Sequence, residues 1–114
     1  MDDRALQTEQ SPDASEALGG IECPVERAIR LIGGKWRMLI LRTLIADGAQ
    51  RFNRLAQSID GISHKVLTQN LRELVGSGLV AQDEASAYGV TPSGMRLQPV
   101  LHGLGQWMES HEAD

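Results

Sequence analysis

Between Ser63 and Val80 the chain reads SHKVLTQNLRELVGSGLV, and this stretch restricts the fold more than any other. Val66, Leu67, Leu71, Leu74 and Val75 recur at helical spacing and form an apolar stripe suited to a core. His64, Lys65, Thr68, Gln69 and Arg72 gather on the opposite face, which offers donors and cations and meets no carboxylate until Glu73. Ser63 suits an N-cap, and Gly76-Ser77-Gly78 supplies a stop. A helix with such a face is either wetted surface or an element that reads the edges of bases.

The flanking segments narrow that choice. Pro24 suits a first helical position, with Val25, Ala28, Ile29 and Ile32 on one face and Gly33-Gly34 as the end. Lys35 opens a second helix whose buried side is marked by Trp36, Leu39, Ile40, Thr43 and Leu44; Asp47-Gly48 closes it. Gln50-Arg51-Phe52 is short and extended, a candidate strand. Asn53 is then expected to cap a third helix with Leu55, Ala56 and Ile59 facing inward. Asp60-Gly61-Ile62 makes a tight turn into the helix that starts at Ser63. A short helix, a glycine turn and a longer helix with a polar outer face make a helix-turn-helix.

After Gly78, Leu79–Gln82 and Ala87–Val90 read as two strands around Asp83-Glu84-Ala85-Ser86, a hairpin in the position of a wing. Thr91-Pro92 caps a last helix carrying Leu97, Val100, Leu101, Leu104, Trp107 and Met108 in one stripe, which needs a partner. Pro99 should kink this helix or delay its regular part. The expected fold is mainly α with a small β-hairpin: a winged helix-turn-helix.

The length, 114 residues, allows one domain. The expected limits are a flexible acidic tail at 1–20, the folded domain at 21–111 and a short C-terminal tail at 112–114. The formal charge of −4 conceals a gradient, from −4 over residues 1–20 to +5 over 35–72 and −5 over 73–114. A basic middle between acidic ends suits a local phosphate-binding surface; scattered solvated charge is the plain alternative. No apolar run is long enough for a bilayer and no signal peptide is visible, so a cytoplasmic location is expected. One cysteine excludes an internal disulfide framework, and metal-ligand spacing is absent. No catalytic constellation, cofactor or metal site can be assembled from the residues, and an enzyme is not expected.

At this point the sequence resembles the HxlR family of small bacterial winged-helix regulators. The resemblance is carried by Cys23-Pro24-Val25-Glu26, Leu31-Ile32-Gly33-Gly34-Lys35-Trp36 and Arg51-Phe52-Asn53-Arg54-Leu55. It continues in Gly61 through Leu74, Gly78-Leu79-Val80, Tyr88 through Gly94 and Leu97-Gln98-Pro99-Val100-Leu101. It implies a homodimer packed through the first and last helices, bound to inverted-repeat operator DNA. Some members of the family sense quinones, aldehydes or oxidants through a cysteine just before the first helix, where Cys23 stands. The wing departs from the family: it is short and carries Asp83 and Glu84, an acidic tip that phosphate is expected to repel.

The residues then take expected roles. Ser63, His64, Lys65, Thr68 and Gln69, in the N-terminal part of the helix, are placed to approach bases, with Arg72 at bases or phosphate. Arg51, Asn53 and Arg54 are candidates for phosphate, or else a cap with solvated arginines; Lys35 and Arg37 are weaker candidates. Val25, Ile29, Leu97, Leu101, Leu104, Trp107 and Met108 are the expected dimer seam. Cys23 lies at a helix N-terminus, whose positive end favours a thiolate, with Arg27 helping and Glu22 and Glu26 opposing. It is either an electrophile or oxidant sensor or an inert small residue. The competing function is a winged-helix protein-interaction module without strong DNA binding.

Overall fold

Glycines divide this chain before anything else does. The computed structural model describes residues 23–113, and the chain separates between Gly33 and Gly34 into two compact units. That break falls inside the expected domain of 21–111. The expected acidic tail at 1–20 lies outside the described residues.

In the first unit, helix α1 spans Pro24–Ile32, with Pro24 at its first position as expected. Cys23 is its N-cap and closes a capping box: its Sγ accepts the Glu26 N–H at 3.4 Å, and Glu26 Oε1 accepts the Cys23 N–H at 3.1 Å. No residue of α1 is buried, and Val25 and Ile29 are 66% and 62% exposed.

The second unit runs α2 (Lys35–Asp47), β1 (Gln50–Arg51), α3 (Phe52–Ser58), α4 (His64–Gly76), β2 (Val80–Gln82), β3 (Ala87–Val90), α5 (Pro92–Met95) and α6 (Gln98–Ala113). Ile40, Leu41 and Leu44 of α2 meet Leu55 of α3, Leu67, Leu71 and Leu74 of α4, and Ile59, Ile62, Leu79 and Val80 in one core. Leu41 joins the expected buried side of α2, whereas Trp36 and Leu39 are only half-buried. The α2 helix packs on α3, α4, β3 and α6, so more of its circumference is covered than one stripe would be. The buried Thr43 hydroxyl donates back to the Leu39 carbonyl at 2.8 Å and is thereby satisfied.

Two expected placements move. Asn53 does not cap α3: the helix begins at Phe52 with Arg51 as its N-cap and no side-chain cap bond. Arg51 is still paired with Ala87 in the sheet, so strand passes directly into helix and Asn53 falls inside the first turn. Val75 leaves the expected core stripe of α4 and is 42% exposed, on the edge nearest the hairpin. The stop at Gly76 and the cap are as expected, with Ser63 Oγ accepting the Val66 N–H at 3.1 Å. In the turn before it, Gly61 has φ +83°, a conformation that costs a side chain but not glycine.

The three strands form an antiparallel sheet in the order β1-β3-β2, with Gln50 opposite Tyr88 and Gln82 opposite Tyr88. Gln50–Arg51 is thus a true strand, while Phe52 is not. The hairpin is anchored at its base. Thr91 Oγ1 donates to the Gly78 carbonyl at 2.6 Å, and the Thr91 N–H to the Leu79 carbonyl at 3.0 Å. Thr91 also caps α5 by accepting the Gly94 N–H at 3.1 Å. The single last helix expected after Thr91 is two: α5 ends at Met95, and α6 starts at Gln98 with Pro99 in its first turn, where a missing N–H costs little. The α6 helix continues through Glu112 and Ala113, which the sequence reading gave to a tail.

Candidate nucleic-acid interface

The α4 face is built by its stripe. With Leu67, Leu71 and Leu74 buried, the residues on the far side of the helix must point outward. His64, Lys65, Thr68, Gln69 and Arg72 come together there and line one open groove of about 440 Å³. His64 is braced from the neighbouring helix: the Phe52 and His64 rings meet edge to face, 5.3 Å between centroids at 84°. The first residues of α3 and α4 are therefore held together at the mouth of the helix-turn-helix. Phe52 is the one contributor that sequence reasoning missed here, because its contact is made only in the folded molecule.

The other expected residues fall elsewhere. Ser63 has its oxygen engaged in the α4 cap, so its first duty is structural. Arg51, Asn53 and Arg54 are exposed around the start of α3 and do not line the groove. Arg37 donates through Nη2 to Glu73 Oε1, tying α2 to α4 and neutralising the first carboxylate of the α4 face. Lys35 Nζ stands 4.5 Å above the centre of the Trp36 ring.

The wing tip is acidic, and one of its acids also builds the turn. Asp83 Oδ1 accepts the Ala85 and Ala87 N–H groups at 2.8 and 2.9 Å, and the Asp83 carbonyl accepts the Ser86 N–H at 3.0 Å. Ser86 takes the left-handed conformation, φ +67°, that lets the chain re-enter β3. Asp83 is therefore the brace of the turn, and Asp83 and Glu84 are both exposed at the tip. A second groove, about 250 Å³, lies between α4 and the hairpin stem, lined by Thr68, Leu71, Arg72, Val75, Gln82 and Tyr88.

On α6, Val100, Leu104, Trp107 and Met108 are 50%, 49%, 60% and 44% exposed; Leu101, and Leu97 just before the helix, are half-buried. His111 stacks on Trp107 at 5.2 Å, nearly parallel. An apolar face this open is unusual unless something covers it. Cys23 is exposed. Among the described residues no cluster of His, Cys, Asp and Glu could hold a metal ion, and no helix is long and apolar enough to cross a membrane.

A helix-turn-helix followed by a hairpin, on a three-stranded sheet and a common core, defines a winged-helix protein of the transcription-regulator type. The HxlR-like helix-turn-helix family model matches residues 31–114, and the chain belongs to that family. It is 33% identical to the HTH-type transcriptional regulator YdeP of Bacillus subtilis (strain 168), over 98% of this chain and 88% of that protein. The quinone-bound structure of YodB from B. subtilis is similar with a TM-score of 0.72 and 34% identity, covering 77% of this chain and 99% of that one. The redox regulator HypR in its reduced form is similar with a TM-score of 0.71 and 32% identity, covering 79% and 94%.

Proposed function

We propose that this regulator is a homodimer that binds inverted-repeat operator DNA with α4 in the major groove. The observation that carries the reading is the α4 face. It gathers an imidazole, an ammonium, a hydroxyl, an amide and a guanidinium around one groove, and its nearest carboxylate is neutralised by Arg37. His64, Lys65, Thr68 and Gln69 meet base edges: Gln pairs with adenine, Lys donates to guanine and the Thr methyl meets the thymine methyl. Arg51, Asn53 and Arg54, at the start of α3, take phosphates together with Arg72. The dimer seam is formed by Leu101, Leu104, Trp107 and Met108 of α6 and by Leu97 just before it, with Val25 and Ile29 of α1 as further apolar contributors.

Cys23 is the proposed sensor. Its thiolate adds to the electron-poor carbon of a quinone or enal, a C–S bond forms, and a proton from water completes the adduct. The likeness to quinone-bound YodB and to the redox regulator HypR supports this reading, as does the exposure of the thiol. Footprinting on the DNA upstream of the protein's own gene, with and without a quinone, tests both parts. Protection of two half-sites that is altered by quinone is the expected result. A dimer that protects no DNA would favour the protein-interaction reading instead.

A further inference from the structure

We infer that a DNA phosphate seats in the groove between α4 and the hairpin stem, held by Thr68, Arg72, Gln82 and Tyr88. The inference rests on the DNA-binding reading above and adds to it two residues of the sheet, Gln82 and Tyr88. Four of the six lining side chains end in hydrogen-bond donors: a hydroxyl, a guanidinium, an amide and a phenol. None of the six is a carboxylate, and the two acids nearest in sequence are already engaged. Glu73 is bound by Arg37, and Asp83 Oδ1 accepts the Ala85 and Ala87 N–H groups of its own turn. The remaining wall is Leu71 and Val75, an apolar strip suited to the C–H edge of a deoxyribose.

The sheet fixes the donors relative to one another. Gln82 and Tyr88 are register partners across β2 and β3, so their side chains leave the same face side by side. Gln82 Nε2 reaches the Ser86 carbonyl at 3.5 Å, the long limit of a hydrogen bond, and the amide keeps a second hydrogen for a ligand. Thr68 and Arg72 line both this groove and the groove proposed to face the bases, so the two are continuous along one helix. A duplex read at His64–Gln69 therefore carries its backbone toward the stem. The tip offers it no cation: residues 80–90 contain neither Lys nor Arg, and Glu84 is exposed. Contact with the wing moves from tip to stem in this chain.

Affinity for a fluorescent mixed-sequence duplex, measured at two potassium chloride concentrations, tests the seat. Tyr88→Phe and Gln82→Ala should each weaken binding about 3- to 10-fold without changing the salt dependence, since neither residue is charged. Arg72→Gln should weaken it further and lower the salt slope by about one. Glu84→Ala should stay within about 2-fold of wild type, because the tip lies outside the contact. Tyr88→Phe and Gln82→Ala proteins that both bind like wild type would overturn the seat while leaving DNA binding intact. Wild-type protein that binds no duplex even at low salt would overturn the DNA-binding reading itself. Gln82 is exposed, so its truncation tests the seat even if the Tyr88 variant folds poorly.

Discussion

At the scale of single residues, the proposed reading assigns sequence choice to the α4 face and phosphate contact to the start of α3. Gln69 lines the groove beside Thr68 and Arg72, whereas Arg54 stands at the start of α3 away from it. Gln69→Ala should therefore cost about 1–3 kcal/mol against the operator but little against other DNA. Arg54→Ala should weaken every duplex alike and lower the salt slope by about 0.9. Titrations of operator and unrelated DNA at two salt concentrations distinguish the two patterns, and unchanged binding by both variants would refute the assignment. Cys23 allows an equally clean substitution. Its sulfur accepts the Glu26 N–H in the capping box, a duty that a serine hydroxyl performs at least as well. Cys23→Ser should thus keep α1 and DNA binding while abolishing the response to quinone. A variant that still responds in cells would remove the thiol from the mechanism. The residues on the α4 face were legible in sequence because helical spacing alone sorts them from Leu67, Leu71 and Leu74. Phe52, Gln82 and Tyr88 were not, since they reach the site through tertiary contacts and strand register that no local pattern encodes.

Among the elements, the hairpin lies where the spacing predicts it, and its turn is built by a side chain that composition alone does not single out. Asp83 and Glu84 are both exposed and keep the tip acidic, and one oxygen of the Asp83 carboxylate also accepts two backbone N–H groups of its own turn. Asp83→Asn retains an acceptor oxygen and should leave stability near wild type. Asp83→Ala leaves those N–H groups to solvent and should cost about 0.5–1.5 kcal/mol in urea denaturation. Equal stability of the two variants would show that the turn does not depend on this side chain. The base of the hairpin is the stiffer part. A Cβ built on the buried Gly94 would lie 2.3 Å from the Leu79 carbonyl oxygen, so α5 approaches the start of the hairpin more closely than any side chain permits. Gly94→Ala should destabilise the fold by about 1–3 kcal/mol and lower its melting temperature. Helix positions and the glycine stop were readable from spacing. The start of α3 was not, because Arg51 serves at once as strand residue and N-cap, and a capping side chain was never needed.

For the whole molecule, the question left by the apolar stripe of α6 is what covers it. Leu104 lies at the middle of that stripe, flanked by Val100, Trp107 and Met108, and about half of it is open. Leu104→Glu places a charge where a second copy would dock. A buried unpaired carboxylate costs far more than one seam contact returns. The side chain is exposed in the single chain, so the variant should fold with an unchanged far-UV spectrum. In sedimentation it should run at the monomer mass of 12.4 kDa, where the proposed wild-type dimer should run at twice that. The operator then supplies a second reading of the same change. A dimer meets both half-sites and the linked second contact adds effective concentration, so the monomer should lose about 10²- to 10⁴-fold on the full inverted repeat. Binding to an isolated half-site, which needs only one α4, should be nearly unchanged. A variant that remains dimeric places the seam away from Leu104. A monomer that loses half-site binding as well shows that the substitution disturbed the reading head.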